Sequence, residues 1–353
     1  MTPPLVIYGS YGYTGRLIVE QALAQGYRPL LAGRDAGALR EQAEPLGLEW
    51  QPVHLEERDA LEALLRDARV VLHCAGPFAR TSRPMADACL TTRTHYVDIA
   101  GEVEVFEALA ARDAEAKKAA VMLLPGGGFD VVPSDCLAAH VARRLPSATH
   151  LTLAFRAAGG ISRGTLTTMV ENLHRGGLVR REGRLTRVPA AWKTRTIDFG
   201  RGPALAVTIP WGDVSTAFHS TGIPNVEVYA SAPMKRIRAM RAVRRLRWLV
   251  AQPAVRRALV RLVRRGEPGP SAERRRRGES LLWAEATDEG GRRAVARLRG
   301  PESYTLTALT AVAIARRALE GLAPVGFQTP SLAYGPDFIL TFPGVVREDL
   351  PSS

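Results

Sequence analysis

Short apolar runs alternate with stretches of helical periodicity over the first part of the chain. The run Leu5–Tyr8 precedes a helical stretch at Arg16–Ala24, and Pro29–Ala32 precedes another at Ala36–Pro45. Further apolar runs lie at Trp50–His54, Val70–Cys74, Tyr96–Asp98 and Val121–Leu124. They are separated by helical stretches at Asp59–Asp67, Pro84–Thr91 and Val105–Lys118. Strands that alternate with helices in this way predict βαβ units and a parallel sheet with both faces covered.

The pattern changes after about residue 150, where strand-like runs lie among Gly and Pro turns. One helix is predicted at Gly164–His174, a hairpin turn at Asp288–Gly291, and a long helix at Tyr304–Leu319. The later part of the chain therefore predicts a mixed α+β domain followed by a long helix.

Together these patterns predict an α/β protein with two domains. The first is a doubly wound Rossmann domain that covers residues 1–148, and the second is an α+β domain over 149–302.

The most informative motif is Gly9-Ser10-Tyr11-Gly12-Tyr13-Thr14-Gly15, which follows the first strand and opens the first helix. Its G-x-x-G-x-x-G spacing is a variant of the dinucleotide fingerprint. Gly9 allows the tight turn, Gly12 lets backbone approach the pyrophosphate, and Gly15 lets the helix pack close to the strand. The helix N-terminus offers amide donors to the phosphates. We predict that all seven residues bind the cofactor.

The end of the second strand indicates which nucleotide binds. Gly33 and Arg34 stand where an NAD-preferring protein would have an acidic residue, and a guanidinium there favours the 2′-phosphate of NADP. Asp35 follows, and we interpret it as the N-cap of the next helix. The loop Cys74-Ala75-Gly76-Pro77-Phe78 ends the fourth strand and is predicted to border the ribose and nicotinamide.

These residues resemble the saccharopine dehydrogenase-like oxidoreductases, in particular the branch with trans-acting enoyl reductases. The matching stretches are Gly9–Arg16, Ala32–Arg34, Cys74–Phe78, Thr94–Glu102, Gly127–Asp135 and Gly326–Pro330. The chain departs from the family at Thr81-Ser82-Arg83, where a Tyr-Gly pair is usual. The resemblance implies NADP binding, hydride transfer and a substrate domain over 149–302 that is inserted before a C-terminal helix, so that 303–345 rejoin the Rossmann domain. It does not identify the substrate.

Candidate acid–base groups lie at the ends of the fifth and sixth strands. There is no Tyr-x-x-x-Lys pair and no Gly-x-Ser-x-Gly motif, which argues against short-chain dehydrogenase and α/β-hydrolase chemistry. We predict Tyr96, Asp98 and Asp130 as catalytic, with Glu102 and Asp135 as further candidates. A structural role for these carboxylates, or a proton taken from water, remains an alternative.

The net charge of +13 is concentrated in one segment. Residues 235–277 hold sixteen basic and two acidic side chains, so the rest of the chain is close to neutral. Two basic amphipathic helices are predicted within 235–265, interrupted at Pro253. They are either the solvated face of packed helices or a docking site for an acyl carrier protein or an anionic membrane. Nucleic acid is a weaker interpretation because Trp248 is the single aromatic residue there.

Other features bear on location and metals. No run of 18 apolar residues and no basic n-region with an apolar h-region is present, so we expect neither a transmembrane helix nor a signal peptide. Three cysteines without a C-x-x-C pair fit reduced thiols and a cytoplasmic location, with peripheral membrane association as a further expectation. The histidines lack metal-ligand spacing, so no metal site is predicted.

The sequence therefore predicts an NADP-dependent oxidoreductase that reduces a polarised C=C bond of an acyl or polyketide-like substrate. One alternative is a saccharopine-type imine reductase, for which Arg156, Arg163 and Arg175 are candidate carboxylate ligands. Another is a nucleotide-binding membrane-surface protein without catalysis. The oligomeric state stays open.

Overall fold

The computed structural model describes residues 4–157, 160–245, 248 and 251–351. The chain divides into two compact units. The first comprises residues up to Val132 together with Tyr304–Ala333, and the second comprises Pro133–Ser303 together with residues from Tyr334 onwards. The second unit thus interrupts the first along the sequence.

The elements are as follows, in chain order. The strands are β1 (Leu5–Tyr8), β2 (Leu30–Gly33), β3 (Trp50–Pro52), β4 (Val70–His73), β5 (His95–Asp98), β6 (Met122–Leu124), β7 (His150–Ala157), β8 (Gly177–Arg181), β9 (Arg184–Val188), β10 (Thr194–Asp198), β11 (Pro203–Thr208), β12 (Asn225–Ser231), β13 (Glu279–Thr287), β14 (Arg293–Pro301), β15 (Gly326–Phe327) and β16 (Val346–Leu350). The helices are α1 (Tyr13–Ala24), α2 (Ala36–Ala43), α3 (Arg58–Leu65), α4 (Phe78–Thr92), α5 (Val103–Ala110), α6 (Asp113–Ala119), α7 (Val132–Arg144), α8 (Arg163–Asn172), α9 (Asp213–Thr221), α10 (Met234–Arg245), α11 (Pro253–Arg264), α12 (Ala272–Arg277), α13 (Ser303–Leu319) and α14 (Pro330–Tyr334). Short 3-10 turns occupy Glu44–Leu46, Leu173–Arg175 and Phe338–Thr341.

The first unit is built on a parallel sheet of seven strands in the order β15-β6-β5-β4-β1-β2-β3. All four residues of β1 and of β4 are buried, as expected for strands covered by helices on both faces. The strand order reverses between β1 and β4. In such a sheet, ligands bind beyond the carboxyl ends of the strands at that reversal.

The helices of this unit differ from the predicted ones mainly at their ends. Helix α1 begins at Tyr13, directly after the glycine motif, rather than at Arg16. Helix α4 begins at Phe78 and accommodates Pro84 in its interior, whereas the sequence predicted a start at Pro84. The single helix predicted over 105–118 is two helices, α5 and α6, because the chain turns at Ala111 and Arg112.

The second unit is built on a mixed sheet of nine strands. Its main path is β10-β11-β12-β7-β13-β14-β16, with β8 attached to β12 and β9 to β8. Strands β7 and β12 are parallel, and the other pairs are antiparallel. The predicted α/β fold with a parallel Rossmann sheet and a second α+β domain is confirmed. Sequence patterning had not identified β8, β16, α7 or α9.

Within the segment predicted as two basic helices, the described residues form α10 and α11. Leu246, Arg247, Leu249 and Val250, which belong to the predicted first helix, lie outside the described residues. Across the described ranges, no helix is long and apolar enough to cross a bilayer.

Candidate active site

The glycine motif forms the turn between β1 and α1. Gly9 has a φ of +81°, and its amide donates to the carbonyl of Ala32 at 2.7 Å. A Cβ atom at Gly9 would lie 2.8 Å from the Cβ of Ala75, so only glycine lets this turn pass beneath the loop that follows β4. Gly15 is equally constrained, because a Cβ there would lie 2.4 Å from the carbonyl oxygen of Gly9.

Gly12 differs from these two glycines because the space around it is open. A Cβ atom at Gly12 would meet the carbonyl oxygen of Gly9 at 3.3 Å, and no other heavy atom within 4 Å outside its chain neighbours and its own helix backbone. It is the N-cap of α1, and no side chain caps that helix terminus. An open glycine at an uncapped helix N-terminus fits a pyrophosphate, which needs close backbone approach and amide donors.

The remaining residues of the motif support the turn. Ser10 is buried, and its backbone carbonyl accepts a hydrogen bond from Gln42 Nε2 at 3.1 Å. The Tyr11 ring lies against Gly33, where a Cβ atom would be 2.6 Å from its Cε1. Tyr13 packs edge-on against Tyr304 of α13, with ring centroids 5.1 Å apart. Thr14 is half-buried in the first turn of α1.

The carboxyl end of β2 carries one accessible cation. Arg34 is exposed, and no hydrogen bond or ion pair holds its side chain within the described ranges. Asp35 is the N-cap of α2, and its Oδ1 accepts the amide of Ala38 at 3.0 Å. The interpretation of Asp35 as a helix cap is thus confirmed, which leaves Arg34 as the charged side chain free to meet a ligand at this strand end.

The loop Cys74–Phe78 is fixed at both ends. The amide of Cys74 donates to the carbonyl of Tyr8 at 2.7 Å, and Thr81 Oγ1 donates to the carbonyl of Ala75 at 2.6 Å. Between these anchors Gly76 is exposed and Pro77 is half-buried, while Phe78 is buried at the start of α4. Thr81 is one of the residues that stand where the family resembled by this chain usually has a Tyr-Gly pair, and the Thr81 hydroxyl stabilises the loop.

Tyr96 and Asp98 form an enclosed hydrogen-bond network at the end of β5. Both side chains are 0% exposed, and Tyr96 donates its hydroxyl proton to Asp98 Oδ2 at 2.5 Å. Asp98 Oδ1 accepts the amides of Ala100 at 2.9 Å and Gly126 at 2.8 Å. Burial raises the pKa of Asp98 to about 6 although these hydrogen bonds oppose the rise. The network joins the ends of β5 and β6, and it positions backbone rather than presenting a group to solvent.

Two more carboxyl groups lie beside this network. Asp130 is half-buried and packs on Gly101, where a Cβ atom would lie 2.7 Å from its Oδ2, and burial raises its pKa to about 7. Glu102 is 8% exposed, and its Oε1 accepts the amide of Phe78 at 3.1 Å. Burial, followed by the charge of Asp98, raises the pKa of Glu102 to about 7. Each carboxyl group therefore keeps its proton up to about pH 7.

The other predicted candidates lie in the second unit. Asp135 is fully buried on α7. Arg156 lines a cavity of about 460 Å³ together with Arg201, Glu279 and Leu281, and Arg201 pairs with Glu279 at 3.1 Å. Arg163 is half-buried at the start of α8, and Arg175 is exposed after it. Within the described residues, no cluster of three or more His, Cys, Asp or Glu side chains forms a candidate metal site.

Comparison with known proteins agrees with this geometry. Residues 5–124 match the family described as the saccharopine dehydrogenase NADP binding domain. A trans-acting enoyl reductase of Mycobacterium leprae is 34% identical over 149 residues, which cover 40% of this chain and 36% of that protein. A putative trans-acting enoyl reductase of Mycobacterium tuberculosis is 31% identical over 185 residues, which cover 48% of this chain and 44% of the relative.

The resemblance to the saccharopine dehydrogenase-like family is confirmed. Residues 5–124 of the first unit accordingly resemble the nicotinamide-dinucleotide-binding domain of that family. The matched stretches span less than half the length of either mycobacterial relative. Saccharopine dehydrogenase (L-Glu forming) from Saccharomyces cerevisiae shares the fold over 99% of this chain and 100% of its own, with a TM-score of 0.67 at 11% identity.

The structure assigns positioning contacts that the sequence did not predict. Glu102 ties the Gly-Pro-Phe loop to the end of β5, and Thr81 fixes the same loop from α4. Thr307 Oγ1 of α13 accepts the amide of Phe129 at 3.0 Å, and Thr310 Oγ1 donates to the carbonyl of Gly127 at 2.9 Å. The signal for the α13 contacts was the run of three glycines at 126–128, because a Cβ atom at Gly128 would lie 2.8 Å from Thr307 Cγ2.

Proposed function

We propose that this chain is an NADP-dependent oxidoreductase that reduces the polarised C=C bond of an acyl or polyketide-like substrate. The observation that carries the proposal is the turn between β1 and α1. Its open glycine, Gly12, stands at an uncapped helix N-terminus within a domain of the saccharopine dehydrogenase NADP-binding family. The bound cofactor would supply the hydride; the chain's residues would bind it, orient it and manage the proton.

The choice of NADP over NAD rests on the end of β2. Arg34 is exposed, whereas Asp35 is occupied as the cap of α2. A carboxylate at this position would hydrogen-bond the ribose hydroxyl of NAD, and a guanidinium suits the 2′-phosphate of NADP. Tyr11, packed on Gly33, lines the same strand end.

Reduction of a C=C bond also consumes one proton. Asp130 is the predicted catalytic residue that is half-buried rather than fully buried, and burial raises the pKa of its carboxyl to about 7, so it holds its proton below about that pH. A carboxylic acid in that state suits general-acid catalysis. Tyr96 and Asp98, each 0% exposed, act as positioning residues in this proposal.

The substrate class rests on the relatives. The mycobacterial protein that matches at 34% identity is named a trans-acting enoyl reductase, and the one at 31% a putative trans-acting enoyl reductase. An enoyl group is a C=C bond conjugated to an acyl carbonyl, which is the bond that this proposal assigns. The likeness to saccharopine dehydrogenase, at 11% identity, concerns the fold alone.

The test uses the full chain with NADPH and a 2-enoyl thioester, with the saturated thioester as the control substrate. With the enoyl thioester we expect loss of the NADPH absorbance and a product that is heavier by two hydrogens. With the saturated thioester we expect neither change. Asp130→Asn should lower kcat and remove the basic limb of the kcat profile near pH 7, where the carboxyl loses its proton.

Other outcomes would contradict the proposal in distinct ways. Turnover of an amine with a 2-oxo acid, but not of enoyl thioesters, would indicate the imine-reductase alternative. Tight NADPH binding without turnover of either substrate class would indicate a non-catalytic nucleotide-binding protein. An unchanged pH profile in Asp130→Asn would assign the proton to water.

A further inference from the structure

Helices α8 and α11 of the second unit pack against each other and leave large apolar side chains exposed. No residue of α8 is buried. Trp248, 67% exposed, and Leu262, 65% exposed, have the most exposed large apolar side chains among the described residues, and Met169 on α8 is 52% exposed. Ile161, just before α8, is 43% exposed. We call helices α8 and α11, together with Ile161 two residues before α8 and Trp248 five residues before α11, the α8/α11 face.

The face is also strongly basic. Arg257 and Arg261 of α11 are exposed, and no carboxylate pairs with them in the described part of the chain. The two acidic residues of 235–277 pair with arginines of α12. Arg274 lies 3.7 Å from Glu267, and Arg277 lies 2.8 Å from Glu273. The charge of α11 is therefore available to a partner.

Helix α10 shows that a basic helix in this segment need not expose its apolar side. It carries the same alternation of Arg and apolar residues, yet Ile237 is 0% exposed and packs with Ala191, Val207 and Ala232. Arg241 Nε donates to the carbonyl of Ala191 at 3.3 Å. Helix α10 is thus anchored on its own unit, whereas α11 presents Leu262 to solvent.

We propose that the α8/α11 face docks on an anionic membrane surface. Apolar side chains next to unpaired arginines suit the boundary between headgroups and acyl chains, where Trp lies at headgroup level and Arg meets lipid phosphate. An acidic protein or a nucleic acid would neutralise the arginines, but neither requires the exposed large apolar side chains that these two helices and the residues just before them carry. This inference goes beyond the reductase proposal and does not depend on it.

The test is flotation of the full chain with vesicles of equal parts phosphatidylglycerol and phosphatidylcholine, compared with phosphatidylcholine alone. We expect binding to the anionic vesicles that weakens with salt. Arg257→Glu with Arg261→Glu should weaken it by at least about tenfold, since each arginine near an anionic surface contributes to affinity. Arg40→Glu with Arg66→Glu, the same charge change on exposed arginines of the first unit, should leave binding unchanged.

The apolar contribution has its own variant. Leu262→Ser should weaken binding about tenfold even at high salt, whereas Leu322→Ser, which changes a side chain 57% exposed in the first unit, should not. Lipids brominated on their acyl chains should quench the fluorescence of the wild type, and Trp248→Phe should remove most of that quenching. Circular dichroism of each variant separates loss of the face from loss of the fold.

Three results would overturn the proposal: no binding to anionic vesicles, equal binding to neutral vesicles, or binding unaffected by the Arg257 and Arg261 reversal. Arginine-dependent binding of an acyl carrier protein or of duplex DNA, without vesicle binding, would likewise overturn it. Because the assay contains neither NADPH nor substrate, its failure leaves the proposed reductase activity untouched.

Discussion

Two regions of this molecule are suited to bind anions, and they are built on opposite principles. The β1–α1 turn of the first unit offers one uncapped helix N-terminus and one arginine, Arg34, at the end of a buried sheet. Residues 235–277 of the second unit carry a net charge of +14, most of it on helices. The number of charges is therefore a poor guide to where a specific ligand binds.

The difference lies in the rigidity of the surroundings. Around the β1–α1 turn, Gly9 and Gly15 are enclosed by backbone, so the amides at the helix terminus are held in place. Preorganised donors discriminate between ligands because little reorganisation accompanies binding. On α11, by contrast, long side chains lie on an exposed helix, where screened charge gives attraction to any anionic surface. The first region suits one nucleotide, and the second suits a surface.

The largest effect is expected from a side chain added within the β1–α1 turn, which tests whether the cofactor binds there. Gly12→Val should weaken NADPH binding by at least about 100-fold, because it fills the space in which the pyrophosphate approaches backbone. The unfolding temperature should change little, since a Cβ atom at Gly12 meets one atom, at 3.3 Å. Gly15→Val should instead destabilise the fold by about 3 kcal/mol, because its Cβ would lie 2.4 Å from the Gly9 carbonyl oxygen.

Cofactor titration and thermal unfolding of both variants provide the measurement. Wild-type NADPH affinity in Gly12→Val would show that the cofactor binds elsewhere. Vesicle flotation of the same variant should match the wild type, since the α8/α11 face belongs to the second unit.

The second-largest effect is expected on NADPH affinity when Arg34 is replaced. Arg34→Ala should weaken NADPH binding about 30-fold and leave NADH binding unchanged, because a charge-assisted contact to the 2′-phosphate is lost. Arg66→Ala, an exposed arginine at the end of α3, is the matched control and should change neither affinity. Asp35→Ala should lower stability by about 1 kcal/mol through loss of the α2 cap and keep the preference for NADPH. Equal effects of Arg34→Ala on the two nucleotides would refute the 2′-phosphate assignment.

The smallest effect is expected on the pH dependence of stability, and it depends on the buried carboxyl group of Glu102, which accepts the amide of Phe78. Burial raises the pKa of Glu102 from 4.5 to about 7 on folding, so the folded state binds this proton more tightly than the unfolded state does. That contribution to stability is full below about pH 4.5 and is lost as the pH rises through about 7. Glu102→Gln keeps an acceptor for the Phe78 amide but cannot ionise.

The free energy of unfolding of Glu102→Gln, relative to wild type, should therefore rise by about 1–3 kcal/mol between about pH 5 and about pH 8. Glu102→Ala removes the acceptor as well and should be destabilised at both pH values. Urea unfolding at the two pH values measures both effects. A difference between Glu102→Gln and wild type that stays constant with pH would mean that Glu102 ionises in the fold as it does in the unfolded chain.

Much of the first unit was predictable because its signals are local. The apolar runs of β1 and β4, the glycine spacing and the cap at Asp35 each depend on neighbours in sequence. Most strands of the second unit were also predictable from their apolar runs, whereas β8 and β16 were not. Strand β8 pairs with β12 at one position, Arg180 with Val226, and β16 closes the sheet against β14 from the far end of the chain.

Local sequence patterns were enough to predict the Rossmann fold, the turn that suits a pyrophosphate and the position of Arg34 at a strand end. The burial of Tyr96 and Asp98 in an enclosed network, and the partial exposure of Asp130, became visible only in the tertiary structure. It also decided that α10 buries Ile237 while α11 exposes Leu262, although the two helices have the same basic amphipathic pattern. The physical reason is that periodicity records which side of a helix is apolar, whereas burial depends on whether another element packs against that side.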